Sequence, residues 1–198
     1  TWGTLSLQEV MAPAPSITGD PWPLARALRS ARGPVTIIAG EQVARDDARG
    51  ELERVRALLR ARVATVPDAK DVSGSPGLGK SSSLGVTGVM GHPGVAEAIA
   101  DSALCLLIGT RLNVTARAGL DEALASVPVM SIGSAAPYLP CTHIRTDDLR
   151  ASLAQLAMVL SGRGRPTGVR VPDTVARASL SPPQCDRDGI RYRDAVSA

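Results

Sequence analysis

The segment Asp101-Ser-Ala-Leu-Cys-Leu-Leu-Ile-Gly-Thr-Arg-Leu-Asn113 constrains this chain most, because its apolar run Ala103–Ile108 stops abruptly at Gly-Thr-Arg. A continuous apolar run of strand length reads as a strand buried on both faces, delivering a loop at its C-terminal edge. Just upstream, Gly85-Val-Thr-Gly-Val-Met-Gly-His-Pro-Gly94 places a glycine at every third position, and the helix-like piece Val95–Ala100 joins the two segments. The order is glycine loop, helix, strand, second loop.

The rest of the chain alternates in the same way. Leu24–Ala31 predicts a short helix that Gly33-Pro34 stops, and Val35–Ala39 is a β-branched run of strand length. Asp46–Arg62 predicts one amphipathic helix, with Leu52, Val55, Leu58 and Leu59 at spacings of three and four. Gly50 within it costs about 1 kcal/mol relative to alanine. Val63–Val66 follows as a strand, then a helix around Leu120–Leu124, a strand Val127–Ile132 and a short strand His143–Arg145. A last helix carries Leu149, Leu153, Leu156, Ala157 and Leu160 on one face, with Thr146-Asp147-Asp148 at its positive N-terminus. Apolar strands alternating with amphipathic helices predict an α/β fold, a mostly parallel sheet with helices on both faces.

Composition closes off several function classes. A chain of 198 residues, 44% hydrophobic, buries one full core, and without Phe that core is aliphatic. The net charge of +3 is scattered rather than gathered in a stripe, which argues against a nucleic-acid surface. Cys105, Cys141 and Cys185 follow no CxxC spacing and read as reduced thiols of a cytoplasmic protein. No apolar run reaches the roughly 18 to 20 residues of a membrane span. Residues 1–21 and 161–198, rich in Pro, Ser, Arg and Asp, read as linkers flanking one domain at 22–160, and the start at Thr1 reads as a piece of something longer.

Chemical motifs are few. Gly74-Ser-Pro-Gly-Leu-Gly-Lys-Ser81 satisfies the phosphate-loop pattern, but no strand feeds it directly and Ser82-Ser-Leu-Gly is a poor helix start, so it reads as a surface segment. His92 and His143 belong to no metal spacing, and no serine sits in a GxSxG elbow. The paired acids Asp46-Asp47 and Asp147-Asp148 suit helix N-termini. No catalytic residue and no metal ligand is nominated.

The order Pro34-Val-Thr-Ile-Ile-Ala-Gly40, amphipathic helix, Val63-Ala-Thr-Val66, Leu84-Gly-Val-Thr-Gly-Val-Met-Gly91, then Ala100-Asp-Ser-Ala-Leu-Cys-Leu-Leu-Ile-Gly-Thr-Arg111 resembles the central domain of thiamine-diphosphate-dependent enzymes of the acetolactate synthase family. The resemblance covers roughly residues 22 to 160 and implies a Rossmann-like, doubly wound, six-stranded sheet of the NAD/FAD-binding type. It also implies a parent, homo-oligomeric enzyme that decarboxylates and ligates 2-keto acids, with thiamine diphosphate and magnesium held by flanking PYR-type and PP-type domains. This chain contains no Gly-Asp-Gly, the family's diphosphate and magnesium motif. An isolated middle domain is then a scaffold without catalysis of its own.

In flavin-containing relatives this domain binds FAD or an ADP group at the strand ends. Carried over, Gly40, Gly88, Met90 and Gly91 would line the cofactor, and Gly109, Thr110 and Arg111 would approach its pyrophosphate. Glycine permits backbone approach and an arginine fork suits phosphate oxygens, although such glycines also serve as plain turns and Arg111 could pair with a surface acid. Two departures stand out: Gly40-Glu41-Gln42 replaces a glycine run, and Ile132-Gly-Ser-Ala-Ala136 replaces the acidic signature that holds the adenine ribose. Empty or ADP-like binding is therefore weighed equally with FAD, and the alternative is a free-standing nucleotide-binding module.

Overall fold

The computed structural model describes residues 16–73 and 83–161. The phosphate-loop-like segment 74–81, Cys185, residues 1–15 of the first expected linker and nearly all of the second lie outside them.

Six strands, β1 (Val35–Ala39), β2 (Arg62–Thr65), β3 (Ser83–Val86), β4 (Leu104–Ile108), β5 (Val129–Gly133) and β6 (Thr142–Arg145), form one sheet in the order β3-β2-β1-β4-β5-β6. Every pairing is parallel, so the sheet is wholly rather than mostly parallel. The order reverses at β1, whose Ile37 lies between Val63 of β2 and Leu106 of β4. This is the doubly wound arrangement, with its switch point between β1 and β4.

The reason for parallel pairing is visible in the side chains. Each residue of β1 and β4 is buried, with Ile37, Ile38, Leu106, Leu107 and Ile108 fully so, as strands covered on both faces require. Among the described residues seven α-helices supply the cover: α1 (Trp22–Ser30), α2 (Glu41–Arg45), α3 (Arg49–Leu59), α4 (Gly94–Ala100), α5 (Val114–Arg117), α6 (Asp121–Ser126) and α7 (Leu149–Ser161). Helix α7 packs on α1 and α3, and α4 packs on α6. The Thr36 and Ser102 hydroxyls and the Arg62 guanidinium converge on the Ala98 carbonyl near the end of α4, at 2.6 to 2.9 Å.

Three local expectations are corrected. The amphipathic helix expected over 46–62 is present as the shorter α3, Arg49–Leu59, and the unexpected α2 precedes it, because Asp47 adopts a left-handed φ of 50° and the chain turns between the two. That turn lets the Asp46 carboxylate accept a hydrogen bond from the Leu149 amide at 3.0 Å, capping α7 from 103 residues away. Asp148 caps the same helix through Ala151, so Thr146-Asp147-Asp148 does sit at its N-terminus. Part of the expected glycine loop is strand β3, hidden by Gly85 and by a register shift opposite Val63 and Ala64. Helix α5, capped by Asn113, is too short to show a period in the sequence.

Residues 16–21, expected to belong to a linker, touch the domain where they are described. Ile17 and Asp147 exchange hydrogen bonds, and Gly19 lies so close to the Arg145 carbonyl that a Cβ would sit 2.2 Å from it.

Two glycines should respond oppositely to alanine. Gly50, near the start of α3, has no neighbouring atom within 4 Å of the place a Cβ would take, so Gly50→Ala is expected to stabilise by about 0.5–1 kcal/mol in urea unfolding. Gly109, at φ 63° with Leu149 Cδ2 and Gln42 Cβ within 2.9 Å of a Cβ, should lose about 2 kcal/mol or more on the same substitution. The Cys105 thiol is fully buried and pushed up to about 12, chiefly by desolvation. Between pH 7 and 9 it is therefore expected to resist iodoacetamide in the native protein and to react only after unfolding, as peptide mass mapping would read.

Candidate functional site

Doubly wound sheets present ligands to the loops that follow their strands, and here four such loops meet over the switch point. Gly40 follows β1, Gly109-Thr110-Arg111 follow β4, Ser134 follows β5 and Thr146 follows β6. They are bound to one another. The Gly40 amide donates to Ile108 O and the Gln42 amide to Gly109 O, at 2.9 and 3.1 Å. The Gln42 side chain, 2% exposed, then completes the junction: its Oε1 accepts from the Ser134 amide at 2.7 Å, and its Nε2 donates to Thr146 O and to Asp46 Oδ2. Sequence reasoning passes over Gln42. Its only signal is an amide side chain in the first turn after a buried strand, where glycine is expected.

A cleft of about 180 Å³ opens beside this junction, lined among others by Glu41, Asp68, Thr110, Arg111, Asn113 and Tyr138. Arg111 stacks on the Tyr138 ring at 4.2 Å, and Tyr138 is fixed in turn by its amide on Arg111 O and by Arg117 on its own carbonyl. Among the described residues Arg111 enters no ion pair, so its fork is not spent on a surface acid. The loop is held in an unusual shape: Thr110 Oγ1 accepts from the Leu112 amide, and buried Leu112 takes a left-handed φ of 48°. A bulky residue in that conformation is a local strain that the surrounding packing must maintain.

The seven expected ligand residues thus divide. Thr110 and Arg111 line the cleft, whereas Gly40 and Gly109 do not and are pressed against protein: a Cβ on Gly40 would meet the Thr110 side chain at 2.4 Å. Gly88, Met90 and Gly91 form a separate turn, closed by Gly91 N on Gly88 O, and do not line the cleft. Gly88 packs instead on α5, where a Cβ would come 2.5 Å from Thr115 O, and Met90 stands 94% exposed at the tip.

Neither histidine belongs to the cleft. His143 shares a 3.1 Å hydrogen bond with Ser131, and burial lowers its pKa, which favours the neutral ring. Among the described residues no three His, Cys, Asp or Glu side chains gather as a metal site, and no helix is long and apolar enough to cross a membrane.

Comparison with known proteins places this geometry. An X-ray structure of a protein from Mycobacterium smegmatis, described as a thiamin diphosphate-dependent enzyme, superimposes with a TM-score of 0.56 at 17% identity. The match covers 80% of this chain and 32% of that one, so this chain spans about a third of its structural relative. Among curated proteins none matches. The sequence model of the family described as "Thiamine pyrophosphate enzyme, central domain" matches residues 23–136, more than half of the chain and five of the six strands of its doubly wound sheet, and it shows that the chain belongs to the central domains of thiamine pyrophosphate enzymes.

Proposed function

We propose that this chain serves as the non-catalytic central domain of a thiamine-diphosphate-dependent enzyme of the acetolactate synthase type, and that its cleft takes an ADP-type group. In that reading 2-keto acid decarboxylation and carboligation belong to PYR-type and PP-type domains of a homo-oligomeric parent. The residues here do not fit thiamine diphosphate with its magnesium: the cleft offers two carboxylates, Glu41 and Asp68, beside one guanidinium, and no third acidic or imidazole ligand joins them among the described residues. The chain's own contribution is to space and hold.

The observation that carries the nucleotide reading is Arg111, a stacked guanidinium outside every ion pair of the described residues, at the end of β4 beside the switch point. Stacking on Tyr138 holds the fork's plane and lowers the entropy lost when it binds phosphate oxygens. Asp68, shortly after β2, supplies a carboxylate where doubly wound folds accept ribose hydroxyls. It answers the acid missing after Ile132. A cleft of 180 Å³ suits part of a mononucleotide better than the whole of a dinucleotide.

Isothermal titration of the purified chain with ADP tests this directly. Wild type is expected to give saturable heat, Arg111→Ala to weaken binding about tenfold or more, and Asp68→Asn to weaken it by a smaller factor. Absence of heat in the wild type would remove the nucleotide role and leave a purely structural domain. For the parent, loss of 2-keto acid turnover on chelation of magnesium is the expected outcome, and turnover indifferent to both magnesium and thiamine diphosphate would contradict the assignment.

A further inference from the structure

We infer that Gln42 is the residue that decides the size of ligand this strand edge accepts, closing the route of a dinucleotide's pyrophosphate across the switch point while leaving the Arg111 cleft open. The inference rests on the nucleotide reading of that cleft and deepens it. In a dinucleotide fold the pyrophosphate passes over glycines at the strand ends and takes hydrogen bonds from the first amides of the helix after β1. The strand-end glycines and the amides of Gln42 and Val43 are already used within this protein.

The space above the strand ends is filled. A Cβ on Gly109 would meet Leu149 Cδ2 at 2.8 Å and Gln42 Cβ at 2.9 Å, and one on Gly133 would meet Gln42 Oε1 at 3.0 Å. The second and third amides of α2 are engaged as well, Gln42 N on Gly109 O and Val43 N on Gly40 O. Glu41 adds a carboxylate in the first turn of that helix, where a phosphate would otherwise benefit from the dipole. A pyrophosphate crossing here would have to displace a fully hydrogen-bonded, buried amide, leaving the Ser134 amide and the Thr146 carbonyl without partners. An ADP-type group in the cleft beyond Thr110 meets no such obstacle. FAD could then bind only through its ADP half.

The test compares FAD with ADP by titration on wild type, Gln42→Ala and Gln42→Met. In the wild type FAD is expected to bind no more tightly than ADP. Alanine empties the junction, and its FAD affinity relative to ADP should rise about tenfold, whereas methionine refills the volume without hydrogen bonds and should keep the wild-type ratio. Wild-type protein that binds FAD ten times more tightly than ADP, or an alanine variant with an unchanged ratio, would overturn the inference and leave the cleft reading intact. If wild type binds neither ligand, the cleft reading falls, and the inference is judged by FAD alone: binding gained only in Gln42→Ala supports it, and no gain refutes it. Should Gln42→Ala fail to fold, hydrogen exchange in the wild type decides. The Ser134 amide is expected to be protected about a hundredfold or more relative to an open loop, and exchange at the unprotected rate would count against the closure.

Discussion

The hydrogen bonds of one buried glutamine hold together the functional edge of this domain. Parallel strands leave all their C-terminal loops at the same end of the sheet, each with backbone groups that need partners. The Gln42 side chain has one acceptor and two donor hydrogens, and the loops after β5 and β6 and the Asp46 carboxylate draw on them. Because Asp46 also caps α7, the same network ties the last helix to the first βα unit. The junction is therefore a cooperative one, in which the position of each loop depends on the other three.

This arrangement changes what the strand-end glycines mean. In a ligand-binding edge, small residues leave room for the ligand. Here Gly40, Gly109 and Gly133 leave room for Thr110, Leu149 and Gln42, so the pattern of glycines is kept while its occupant is protein. The chemistry that remains accessible lies to one side, where Arg111, Tyr138 and Asp68 share a small cleft around a strained loop.

The layout of the sheet was legible because its strands announce themselves. Val35–Ala39 and Leu104–Ile108 are apolar at nearly every position, and burial on both faces demands that. The strand Ser83–Val86 was not, since its glycine and serine carry no apolar signal and its place is set by pairing with β2. The start of α3 at Arg49 rather than Asp46 was likewise invisible, because what favours the turn before it is a contact with Leu149, far away in the chain. Thr110 and Arg111 could be nominated through the family resemblance that the Gly-x-Arg loop after a buried strand carries. Gln42, Asp68 and Tyr138 could not, because their roles arise from which loops the topology brings together.

The attachment of Ile17 to Asp147 gives the chain a mechanical property. Two hydrogen bonds anchor the incoming segment at the junction of β6 and α7, with Gly19 pressed against the Arg145 carbonyl. A pull on Ile17 would thus load the border strand of the sheet and the first turn of α7 before it reached β1. That helix turn is also the one that Asp46 caps and Gln42 indirectly braces. The position of Ile17 and the shape of the strand-end junction are linked through a single corner of the domain.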